Sequence, residues 1–120
     1  MEILAYRDGV EEPHPFEIEL DRVGDLTYVR LSGDAVWAYS ILTALRSLVD
    51  QRLDFVVDLR GLRHINDTNV EELLQGARWG IDYDLDVSFI PGSAEIRDEF
   101  RKHPASEPMV RWVEPPGELA

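Results

Sequence analysis

The sequence predicts a mixed α/β fold, and three patterns carry that reading. Apolar residues alternate with a period of two in some segments and recur every three to four residues in others. Between these lies one short, unbroken apolar run, Phe55-Val56-Val57, the signature of a strand covered on both faces and therefore central and parallel. At 120 residues there is room for one domain with a real core. The order strand, strand, helix, strand, helix, strand, helix, strand predicts a mixed sheet of four or five strands with helices packed mainly on one face.

Residues 1–15 hold an Asp8-Gly9 turn signal and then Glu11-Glu12-Pro13-His14-Pro15, whose prolines restrict the backbone to extended forms; they read as an arm or leader. Phe16, Ile18 and Leu20 then alternate with Glu17, Glu19 and Asp21, the pattern of a half-buried strand. A turn at Gly24-Asp25 leads to a second alternating segment over 26–31, completing a hairpin. After Gly33-Asp34 the period changes. Trp37, Ile41, Leu45 and Leu48, widened by Ala38, Leu42 and Val49, mark an amphipathic helix from Ala35 to about Gln51.

Asp58-Leu59-Arg60-Gly61 is expected to close the central strand. Val70, Leu73, Leu74, Ala77 and Ile81 give the clearest helical stripe, for a helix that starts near Asp67 or Thr68. Tyr83, Leu85, Val87 and Phe89 alternate with Asp82, Asp84, Asp86 and Ser88, so a connector passing into a strand is expected up to Pro91-Gly92. Ser93 caps a third, short helix carrying Ile96 and Phe100, with Arg101, Lys102 and His103 at its negative end and Pro104 stopping it. Met109 to Val113 is expected to add a last strand, and residues 114–120 form a tail broken by Pro115-Pro116-Gly117.

Acids outnumber bases 24 to 12, for a formal charge of −12, so the chain repels phosphate backbones and anionic lipid. Neither nucleic acid nor membrane is an expected partner. The absence of cysteine excludes disulfides and thiolate metal sites. With no basic-then-apolar leader and no apolar run approaching the roughly 18–20 residues that span a bilayer, a cytoplasmic setting is expected.

Chemistry-bearing motifs are few. His64 with Asp58 or Asp67 could supply a base and its orienter, and Ser40 or Ser93 a nucleophile. No nucleophile elbow, glycine-rich phosphate loop or metal-ligand cluster accompanies them. His14 and His103 lie beside prolines. Asp82, Asp84 and Asp86 lack the glycine and the distal glutamate of a calcium loop and read as a solvated strand face. No enzymatic activity, metal or cofactor is expected. Trp79 falls off the helical stripe, as an interface anchor or as cover for the sheet edge.

Gly33-Asp34 after an apolar strand, a helix, and then Asp58-Leu59-Arg60-Gly61-Leu62-Arg63-His64-Ile65-Asn66-Asp67-Thr68 opening a second helix resemble the STAS family. That family includes anti-sigma factor antagonists and stressosome subunits, and the match runs over residues 16–113. The resemblance implies a STAS-like fold and a non-catalytic, protein-binding role. It also implies that Thr68, after Asp67, is the phosphoacceptor, and that the partner is a serine/threonine kinase-type anti-sigma factor. Asn69-Val70 stands where antagonists continue with Ser-Gly-Leu, which is nearer to stressosome subunits. A related branch without the phosphoacceptor implies the alternative of an accessory domain or a domain for small apolar ligands.

Thr68 also has a structural reading, because Thr68-Asn69-Val70-Glu71 fits a capping box in which the hydroxyl satisfies the Glu71 N–H. A phosphate at a helix start meets free N–H groups and the positive end of the dipole, but here it also meets Asp67, Glu71 and Glu72. The surface expected to receive a partner comprises His64, Asn66, Asp67, Thr68 and Asn69, in a loop leaving the carboxyl end of the central strand.

Overall fold

In a computed structural model, the described residues are 16–35, 40–104 and 109–115. Trp37 and Ala38 of the first helical stripe, the arm over 1–15 and the end of the tail lie outside them. Strands β1 (Glu17–Val23), β2 (Leu26–Asp34), β3 (Asp54–His64) and β4 (Val87–Ile90) form a sheet in the order β1-β2-β3-β4. Helices α1 (Ser40–Asp50), α2 (Asp67–Asp82) and α3 (Ala94–Arg101) complete the fold. The first pair is an antiparallel hairpin turned at Gly24, whose φ of 64° is the left-handed conformation glycine adopts freely. Both pairings of β3 are parallel.

Phe55, Val57 and Leu59 of β3 meet Val29 and Leu31 of β2 and Val87 and Phe89 of β4 in the main core. All three helices close over that face, through Ile41, Leu45, Leu48 and Val49 of α1, Val70, Leu73, Leu74 and Ala77 of α2, and Ile96 and Phe100 of α3. The opposite face holds a smaller cluster of Tyr28, Val56 and Ile90, against which Val23, Leu26 and Val113 pack. The unbroken run Phe55-Val56-Val57 is thus buried on both sides.

Four expectations are corrected. The central strand does not close at Asp58-Leu59-Arg60-Gly61. It continues to His64 with register shifts, since Arg30 faces Asp58 while Ser32 faces Gly61, so β3 carries an extra residue there. Asp58 stabilises this bulge, its Oδ1 accepting the Arg60 backbone N–H at 3.0 Å while Oδ1 and Oδ2 accept the guanidinium at 3.0 and 2.8 Å. Gly61 is required because a Cβ would lie 2.9 Å from both the Leu31 carbonyl oxygen and the Ser32 Cβ.

The alternating acids do not line a strand. Asp82 ends α2, and Asp84 turns the chain with a φ of 62°. Met109 to Val113 forms no full fifth strand. It makes a parallel bridge from Trp112 to Phe89, with Phe89 N–H to the Arg111 carbonyl and Val113 N–H to the Phe89 carbonyl, both 2.8 Å. Trp112 is held edge-to-face by Phe89 and Phe100, at centroid distances of 6.0 and 5.5 Å. At the other edge Leu20, expected to be half-buried, is 53% exposed, because no described element packs over that part of β1.

Helices α1 and α2 approach closely at Gly76, where an added Cβ would overlap Leu45 Cδ1 and stand 3.0 Å from its Cβ. Gly76→Ala gains about 1 kcal/mol of helix propensity but overpacks by about 1–3 kcal/mol, so denaturant unfolding should report a net loss. A second expectation concerns Asp58. Burial disfavours its charged form, but the Arg60 hydrogen bonds and charge, with Arg30 further off, outweigh this and hold the carboxyl below its ordinary 3.8. A lowered folded value contributes stability above the unfolded one, and that stability is lost as pH falls through the folded one. Asp58→Asn should therefore cost about 2 kcal/mol at neutral pH, with the gap to wild type narrowing below pH ~4 in equilibrium unfolding.

Candidate functional site

The site is built where β3 hands over to α2. His64, expected in a loop, is instead the last residue of β3, paired with Asp34 of β2 and exposed. Ile65 turns inward at 8% exposure and anchors the crossing. Asn66 is the N-cap of α2, with extended backbone, and its Oδ1 accepts the Asn69 N–H at 2.9 Å. Asn69 answers, its Oδ1 accepting the Asn66 N–H at 3.3 Å. This reciprocal capping box corrects the expectation that Thr68 and Glu71 would form it: the box begins two residues earlier, and both partners are asparagine.

Asn66 wins the cap because it precedes the first helical residue, whereas Thr68 is already the second residue of α2. The Thr68 side chain is exposed and free of that structural duty. Among the described residues, neither the Asp67 nor the Thr68 N–H has a hydrogen-bond acceptor, as is usual for the first turn at the positive end of a helix. Of the five residues expected to face a partner, His64, Asp67 and Thr68 are exposed and Asn66 half-buried. Asn69, at 1% exposure, holds the surface from beneath.

A long-range neighbour completes the electrostatics. The chain after α3 brings His103 to α2, its Nε2 3.4 Å from Asp67 Oδ1. That nitrogen is buried without hydrogen-bond geometry to any described residue, so the two groups attract when the imidazole is protonated but are not aligned for a hydrogen bond. Sequence reasoning set His103 aside as a loop residue and looked to His64 as the neighbour of Asp67. The contact joins residues 36 apart in sequence and has no local signal. Lys102 lies close by; chiefly its bond to Glu99, then the charge of Glu99 and more distantly of Asp67, raise its pKa above the ordinary value.

Among the described residues no group of three or more histidine, aspartate or glutamate side chains is placed to hold a metal ion, and no helix is long and apolar enough to cross a membrane. No protein-family model and no curated protein matches the chain. Solved structures do. An anti-sigma factor antagonist from Mycobacterium paratuberculosis superposes with a TM-score of 0.73 at 12% identity, over 92% of this chain and 94% of its own. The anti-sigma factor antagonist SpoIIAA in its unphosphorylated form gives 0.67 at 13% identity, over 86% and 91% of the two chains. The phosphorylated form of Bacillus SpoIIAA gives 0.66 at 16%, over 86% and 95%.

This is the STAS fold. At such identities the likeness is one of fold, and it matches the architecture implied by the Asp58-to-Thr68 motif. Within the STAS fold, the bulge fixed by Asp58 and Gly61 and the asparagine cap together set where Thr68 stands. If Asn66 rather than Thr68 caps α2, Asn66→Ala should cost about 1 kcal/mol, while Thr68→Ala should stay within about 0.5 kcal/mol of wild type. Urea titrations of both variants test this, and equal losses would return the cap to Thr68.

Proposed function

We propose that this chain is a non-catalytic regulatory domain that binds a protein partner through the start of α2, with Thr68 as a phosphoacceptor that switches the contact. One observation carries the reading: Thr68 is exposed at the second position of α2, relieved of capping by Asn66, beside two N–H groups without described acceptors. The STAS fold supports it, since solved neighbours with that fold are anti-sigma factor antagonists, one of them known in phosphorylated and unphosphorylated forms. A serine/threonine kinase-type anti-sigma factor is the partner this likeness favours, in a cytoplasmic setting.

The switch is electrostatic. A phosphate adds about −1.5 to −2 charges. It would stand next to Asp67, with Glu71 and Glu72 one turn on, and with Lys102 as a cation on the α3 side. Modification should therefore weaken an apolar or acidic contact and strengthen an arginine-lined one.

The test is mass spectrometry of protein from its native cells, paired with partner affinities for wild type, Thr68→Ala and Thr68→Glu. Phosphate on Thr68 and a change of about tenfold or more for Thr68→Glu are expected, with unfolding midpoints unchanged. Absence of phosphate under every growth condition, with equal affinities for all three proteins, would leave the accessory or apolar-ligand reading in its place. Purified protein should turn over no esterase, phosphatase or nucleotide substrate, and turnover abolished by His64→Ala would overturn the non-catalytic assignment.

A further inference from the structure

Along α1 and α2, away from the start of α2, the two helices leave an open groove of about 590 Å³. Both helices return from the parallel strands they follow, so they run side by side, and they approach closely at Gly76. Leu42, Thr43, Arg46 and Asp50 line it from α1, and Glu72 and Trp79 from α2. Trp79 does not cover the sheet edge. It is half-buried on the α1 side, with the Arg46 guanidinium 4.9 Å from its ring centroid. One turn further on, Tyr83 is 50% exposed, with Arg52 4.1 Å over its ring.

Half-exposed tryptophan, tyrosine and arginine side by side are the residue types that carry most of the binding energy at protein interfaces. The charges restrict the occupant. Arg46 is already paired with Asp50 at 3.2 Å, so its charge is compensated. Glu72 meets the Asn69 amide at 3.5 Å and no described cation, which leaves the groove negative within a chain of net charge −12. A second copy of this chain or a phosphate-bearing molecule is repelled. A small apolar molecule would strip water from Glu72 and Asp50 without replacing its hydrogen bonds.

We propose that the groove between α1 and α2 is a second docking surface, which takes a basic, amphipathic helix of a protein partner. An aliphatic side chain seats between Leu42 and Trp79, and lysine or arginine reaches Glu72. A helix suits the valley because its ridges fit the trough between two others, and the 11 residues of α1 match about three of its turns. The assignment does not depend on modification of Thr68.

The probe is a synthetic helix of about 18 residues with leucine on one face and lysine on the other, long enough to hold its conformation. Two controls keep its length: leucine replaced by alanine at the same charge, and lysine replaced by glutamate. With the isotope-labelled full chain at physiological salt, the leucine/lysine helix should saturably shift the Leu42, Arg46 and Glu72 amides and the Trp79 indole. The alanine control should bind at least about tenfold more weakly, and the glutamate control not at all. Thr43→Arg, at an exposed position, places a bulky cation in the groove and should lower affinity about tenfold with an unchanged melting temperature. Trp79→Ala should act in the same direction. No binding, shifts scattered over acidic residues outside α1 and α2, equal binding of the alanine control, or equal affinity for Thr43→Arg would each overturn the proposal. None of these outcomes bears on phosphorylation of Thr68.

Discussion

The Asp58 carboxylate lies in the middle of a strand paired on both edges, and it binds three donors of a residue only two positions away. Parallel pairing of β3 with β2 and β4 requires a long crossover on each side, and the sequence supplies α1 and α2 for them. The extra residue of β3 falls between the Arg30–Asp58 and Ser32–Gly61 pairs, just past the last β3–β4 pair, Asp58 with Ile90, and has no partner in the β2 ladder. Its backbone N–H must be satisfied locally, and Asp58 does so. The bulge then carries the strand on to His64, which sets where the chain can turn into α2. The position of Thr68 is therefore fixed through an ion pair on the opposite face of the sheet from the helices.

Much of this was legible because burial is written in periodicity. Phe55-Val56-Val57 reads as central since both faces are apolar, and Val70-Leu73-Leu74-Ala77 reads as a helix because a single stripe is apolar. What was not legible depends on pairing partners. The strand passes through Asp58-Leu59-Arg60-Gly61, a polar and glycine-bearing stretch that resembles a turn, because β2 is alongside to pair with it. The acids at 82–86 alternate as in a strand, but Asp82 is still helical and Asp84 turns the chain, which follows from where α2 docks. His103 beside Asp67 follows from the path after α3, which no window of sequence contains.

The cap illustrates how two motifs compete for one helix start. Thr68 with Glu71 satisfies the capping-box pattern, but so does Asn66 with Asn69 once asparagine is admitted at both ends. The earlier pair prevails because Ile65 is buried immediately before it, and this fixes the frame in which the chain enters the helix. A neutral cap has a further consequence. The first turn already carries Asp67, which favours the positive end of the dipole, so an uncharged asparagine avoids placing another carboxylate beside it.

Helix α2 divides its faces among tasks that a generic helix former would not meet together. Val70, Leu73, Leu74 and Ala77 supply the core. Gly76 admits Leu45, and Gly80 admits Val87, whose Cγ2 would stand 2.6 Å from an added Cβ. Each glycine costs about 1 kcal/mol of helix propensity relative to alanine. That cost is offset by bringing α1 and the sheet to a distance at which larger side chains could not pack. Close approach of the backbones has a corollary for the surface. With the contact made at glycine, Trp79 packs only partly into the core and Tyr83, just past the end of α2, stays half-exposed, with Arg46 and Arg52 over their rings. The same substitution pattern that tightens the core thus leaves aromatic surface outside it.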